Sequence, residues 1–187
     1  MVSFGRIVYD SFQGTAMGMM DGIITVLGIV MGVGAATGDP RIVIISGLVG
    51  GVANSIGTSV GFYTSENAER GQQICFYEKE KSKKTKMHEK KYIHSRVEIY
   101  VSTLFSFLAA MLALILPLSP FFFGLSVELS MILCFAIAML MLLCLGWQIG
   151  KINKENNFLN GFKYAVIGAL SSVVAYLFGE LLKAVLI

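Results

Sequence analysis

An all-α, polytopic membrane protein is the fold class this sequence predicts, and three observations predict it. Hydrophobic residues make up 55% of the 187 residues and charged ones 14%, whereas soluble domains carry about 25% charged residues. Mean hydropathy is +0.71. The apolar residues are gathered into five runs, each long enough for the roughly 20 residues of helix that a bilayer requires. The chain reads as a single integral membrane domain, 1–187, with transmembrane helices over about 14–36, 42–63, 98–118, 125–147 and 162–182. A short cytoplasmic helical segment, 64–97, separates the second and third.

Before the first span, Ile7, Val8 and Phe12 recur at helical spacing among Arg6, Asp10 and Gln13, which suggests a short interfacial helix. The first span contains Asp21 and is too long for the apolar core of a cleaved leader, so it reads as a membrane helix. Gly14, Gly18, Gly22, Thr25, Gly28, Gly32 and Ala35 follow one another along it at steps of four or three. Gly47, Gly50, Asn54, Gly57, Gly61 and Thr64 repeat the device in the second span. Such spacing keeps small residues on one helix face, where two backbones can approach closely in lipid. Gly38-Asp39-Pro40 between the two is turn chemistry and predicts an antiparallel hairpin. The third span ends at a Pro117-Leu-Ser-Pro120 joint, Trp147 anchors the end of the fourth, and a polar joint from Lys151 to Asn157 leads to the fifth. Cys134 and Cys144 read as small packing residues, and with Cys75 they make no metal-binding spacing.

Residues 64–97 hold nine basic and five acidic residues and, after Gly71, no helix breaker, so helix is expected to continue beyond the membrane. The joint at 149–163 is also lysine-bearing, while 37–41 holds only Arg41 as a base and 117–124 holds no charge. Both basic joints fall on the cytoplasmic side when the N-terminus is cytoplasmic and the C-terminus external. The basic segment reads either as a solvated face touching anionic lipid or as a metal-collecting platform. The platform's members would be Glu66, Glu69, Glu78, Glu80, Glu89, His88 and His94.

Asp21 is the polar residue that most needs explaining, because a carboxylate at the centre of a membrane helix costs about 2.5–3.5 kcal/mol on insertion scales. It is read either as a cation and proton site or as a charge that a neighbouring helix holds or that reaches the cytoplasmic interface, about two turns back at Gly14. Asn54 and Thr58, four apart in the second span, are read either as oxygen ligands or as donors across the helix pair. Met17, Met19, Met20 and Met31 offer thioethers to a soft metal or fill space. Glu180 and Lys183, three apart, suggest a local ion pair. No hydrolase set, phosphate loop, dinucleotide motif or haem site is present, and the polar residues do not form the acid–base constellation of an enzyme.

Asp21-Gly22-Ile-Ile-Thr25 running on to Met31-Gly-Val-Gly-Ala-Ala36, and GLVGGVANSIGTSVGFYTS from Gly47 to Ser65, resemble the first two helices of the vacuolar iron transporter family. The charged segment followed by three further helices matches that family's order. The resemblance implies a homodimer of five-helix protomers that moves ferrous iron, and often manganese, out of the cytosol in exchange for protons. Its partners would be the lipid bilayer, divalent metal ions and protons, with no nucleic acid and no cofactor beyond the transported metal. Asp21 matches the family's first-helix metal-binding aspartate. The family's Ser-Met is Gly57-Thr58 here, its Gly-Glu-Tyr is Gly61-Phe62-Tyr63, and a glutamate early in the second helix corresponds to Gly50. What is left is a harder ligand set of Asp21, Thr58 and Asn54, with Glu66 and Glu69 as cytoplasmic contacts. The sequence therefore predicts a divalent-metal transporter. Its rivals on the same fold are a non-transporting scaffold or regulator and a transporter of another small solute.

Overall fold

The computed structural model describes residues 4–82 and 95–186. It contains five long helices: α1 (Phe4–Thr37), α2 (Pro40–Ser82), α3 (Arg96–Leu118), α4 (Val127–Asn153) and α5 (Asn157–Leu186). All five are long and apolar enough to cross a membrane, and no strand occurs among the described residues. The all-α polytopic reading holds.

The local chemistry explains where each helix stops. Gly38 takes φ +61° and closes α1 through its N–H to the Gly34 carbonyl, 2.9 Å away. Asp39 then accepts from the Arg41 N–H at 2.8 Å, and Pro40 opens α2 where a missing N–H costs nothing. Ser95 and Glu98 form a reciprocal capping box at the start of α3. At its other end, Pro117 and Pro120 turn the joint into a 3₁₀ helix, Ser119–Phe123, closed by Gly124 at φ +68°. Lys154 in the left-handed region ends α4, and its N–H caps onto the Gly150 carbonyl.

One expectation changes in detail: the short interfacial helix is not a separate element, because no breaker divides it from the first span and α1 runs unbroken from Phe4. The expected continuation of helix into the polar segment is seen, with the second span running on as one helix to Ser82. Residues 83–94, which include Glu89, His88 and His94, lie outside the described residues.

Helix α1 is the hub, touching every other long helix. Ile23, Val26, Leu27 and Val30 are fully buried on it. On one side they pack with Val43, Leu114, Leu118, Phe121 and Cys134, and on the other with Ala113, Ala138 and Leu142. A Cβ placed on Gly14, Gly18 or Gly22 would strike the backbone carbonyl of Ser102, Ser106 or Ala110 respectively, a constant offset that marks α1 and α3 as parallel neighbours. Cys134 is buried as packing, while Cys144 is exposed on the apolar outer surface rather than packed.

Candidate functional site

The same register that fills the α1–α3 seam turns Asp21 toward α2. Asn54 donates through Nδ2 to Asp21 Oδ2 at 2.5 Å, and the Thr58 hydroxyl donates to that same oxygen. The four-residue step from Asn54 to Thr58 is one helical turn, so both reach a single carboxylate from one face of α2. All three are half-buried. Asp21 lies three residues from the middle of the apolar stretch Ser11–Thr37, about 4.5 Å along the axis. Oδ1 accepts no hydrogen bond among the described residues, and neither oxygen meets a cationic side chain there. One carboxylate oxygen is thus fixed by neutral donors and the other is open. The Thr58 hydroxyl oxygen, at hydrogen-bond distance from the carboxylate, keeps lone pairs free, and the Asn54 amide carries a further neutral oxygen.

The site faces an uncovered side of the hairpin. A Cβ at Gly28, Gly57 or Gly61 would meet nothing within 4 Å. Met17, one turn before Asp21, is 48% exposed, whereas Met31 is 8% exposed in the core and Met19 packs against it. Met19 and Met31, alike as residues to Met17 in the sequence, thus fill the core, whereas Met17 offers an accessible thioether. Deeper toward α3, Ser55 and Ser59 turn back onto the Gly51 and Ser55 carbonyls and take no part in the site.

Phe62, at the place where the resembled family carries glutamate, is 3% exposed and fills the space against Gly14. Four residues on, Glu66 is buried at 8% exposure, while Glu69 is exposed and accepts from Gln73 at 3.1 Å. Among the described residues no group of three or more His, Cys, Asp or Glu side chains could hold a metal ion. Tyr63 and Tyr100 stack with ring centroids 5.5 Å apart, joining α2 to α3 near this end. Sequence reasoning did not find the burial of Glu66 or of Glu98; the Ser95-x-x-Glu98 pattern was the available signal for the second. At the opposite end of the bundle, a cavity of about 770 Å³ opens between α1, α4 and α5 and does not include Asp21.

The model of the VIT family matches in two overlapping segments, residues 13–103 and 72–180. An uncharacterised protein of the archaeon Methanocaldococcus jannaschii is 31% identical over 159 residues, 84% of this chain and 82% of its own length. The vacuolar iron transporter 1 of Tulipa gesneriana is 34% identical over 71 residues, covering 38% of this chain and 29% of the tulip protein.

Proposed function

The chain belongs to the VIT family, and from that premise we propose that it carries divalent metal cations, iron or manganese, across the membrane in exchange for protons. The observation that carries this reading is the Asp21 carboxylate, deep in an apolar helix, with Oδ2 held by Asn54 and Thr58 and Oδ1 open. A carboxylate among apolar residues needs a compensating partner, and on this reading a proton and a metal cation take that place in turn. One carboxylate serving both in turn is what would couple metal movement one way to proton movement the other. Neutral oxygens from Asn54 and Thr58 complete a hard ligand set suited to a weakly bound, passing ion.

The same penalty argues for a homodimer. A half-exposed carboxylate flanked by the open surfaces at Gly28, Gly57 and Gly61 is covered when a second copy packs there, and small residues are what close helix approach in lipid needs. The path then runs between two Asp21 sites. Lysine and arginine in the 64–97 segment and around Lys151, Lys154 and Lys163 set the N-terminus inside, which makes export from the cytosol the direction driven by an inward proton gradient.

The test is flux of Fe²⁺, Mn²⁺, Co²⁺ and Zn²⁺ into proteoliposomes, with and without a pH gradient, for wild type and Asp21→Asn. Gradient-driven flux lost in the variant is the expected result. Unaltered flux in the variant removes the mechanism. A second reading, a non-transporting scaffold on the same fold, is favoured by one observation: Phe62 packs where the family offers a carboxylate. Absence of flux for every metal, with a partner protein held through residues 79–91, would establish that reading instead.

A further inference from the structure

The cavity between α1, α4 and α5 has an uneven chemistry. Its floor is apolar, with Met31 and Phe135, and three charged side chains, Glu128, Glu180 and Lys183, line it as well. Glu128 stands in the first turn of α4 and Lys183 in the last turn of α5, so the charges sit where the bundle leaves the apolar layer. None of the three makes a hydrogen bond or ion pair among the described residues, and the Glu180–Lys183 pair that their spacing suggests does not form. The wall is continuous with the outer surface, since Ile132, Val173 and Leu177 are 64%, 55% and 61% exposed. The cavity is therefore entered sideways from the lipid.

An apolar floor with two unpaired carboxylates and one unpaired ammonium at its rim is complementary to a zwitterionic amphiphile. We propose that this cavity binds one phospholipid with a primary-amine headgroup, of the phosphatidylethanolamine class, from the leaflet at the end of the bundle opposite the basic segment. Its ammonium donates to Glu128 and Glu180, and its phosphate pairs with Lys183. An acyl chain lies on Met31 and Phe135. A quaternary ammonium has no N–H to donate, so phosphatidylcholine satisfies the carboxylates less well. An anionic headgroup brings negative charge to a rim that already holds two carboxylates and one cation. About 770 Å³ falls inside the roughly 300–1,000 Å³ of ligand-binding cavities.

The experiment uses the full chain, purified in detergent, with phosphatidylethanolamine, phosphatidylcholine and phosphatidylglycerol of identical acyl chains added separately. Retained lipid is read by native mass spectrometry. Phosphatidylethanolamine is expected to bind about tenfold more tightly than either of the others. The Glu128→Gln/Glu180→Gln variant is expected to lose its preference over phosphatidylcholine, and Val173→Trp, at a lipid-exposed position that tolerates bulk, to lower retention of all three. Equal retention of the three lipids by the wild type, a preference for phosphatidylglycerol, or an unchanged preference in the double variant would overturn the proposal. Because Asp21 is not in this cavity, failure of metal transport leaves the result interpretable.

Discussion

Helix α1 carries small residues on two faces, and the two are used in opposite ways. Toward α3, Gly14, Gly18 and Gly22 lie so close to the Ser102, Ser106 and Ala110 carbonyls that no side chain fits. Toward the open side of the α1–α2 hairpin, Gly28 on α1 and Gly57 and Gly61 on α2 have no neighbour within 4 Å of an added Cβ. The first face is packing already completed within the chain. The second holds the Asp21 cluster beside it and still has surface to give. A glycine stripe therefore does not announce its own role; the polar residues next to it and the presence or absence of a facing backbone decide that.

The closed side of α1 tolerates change least. Gly18→Leu should destabilise the fold by about 3 kcal/mol or more, since the new side chain meets backbone rather than a side chain that can move. Loss of the monodisperse peak in detergent chromatography is the readout, and normal thermal stability would show that the seam is looser than the packing implies. On the open side, Asp21→Asn keeps the shape and removes the charge. Metal flux is expected to fall about a hundredfold, about 2.7 kcal/mol in barrier terms, with chromatography and melting unchanged.

Smaller effects sharpen the contrast. Thr58→Ala removes one of two donors to Asp21 Oδ2, and interhelical hydrogen bonds in membranes average about 0.6 kcal/mol. Flux should fall about threefold, clearly less than for Asp21→Asn; an equal loss would make Thr58 an indispensable ligand rather than a donor that positions the carboxylate. Gly57→Leu should leave protomer stability within about 0.5 kcal/mol, as for a surface position, yet weaken self-association in liposomes. Unchanged cross-linking between copies would place the interface elsewhere.

Legibility differed sharply between fold and site. Spans are long apolar runs bounded by Gly38-Asp39-Pro40, Pro117, Pro120 and Lys151–Asn157, so the five helices were readable along the chain. Their ends were less so, because α2 reaches Ser82 and α1 starts at Phe4 with no residue type marking the membrane boundary inside a continuous helix. Asp21, Asn54 and Thr58 could be named from the sequence as polar exceptions in apolar runs. The resemblance grouped them as one ligand set, but the oxygen that Asn54 and Thr58 share could not be read, since spacing within a helix says which residues share a face and not how that face meets its neighbour. Glu66 shows the limit: one turn beyond Phe62 in a charged segment, it reads as solvent-facing, and the packing of α2 buries it.

By itself, then, the sequence determined the helices, their number and the cost of placing Asp21 among apolar residues, because those follow from local composition and from the price of unpaired polarity in lipid. Tertiary structure alone decided that Asn54 and Thr58 share one oxygen of that carboxylate, that the Phe62 ring packs against Gly14, and that Glu128, Glu180 and Lys183 line one cavity while remaining unpaired. Each of these depends on the rotation of one helix against another. Between α1 and α3, for example, Gly14, Gly18 and Gly22 let the backbones approach, a property of pairs of helices that no single stretch of chain contains.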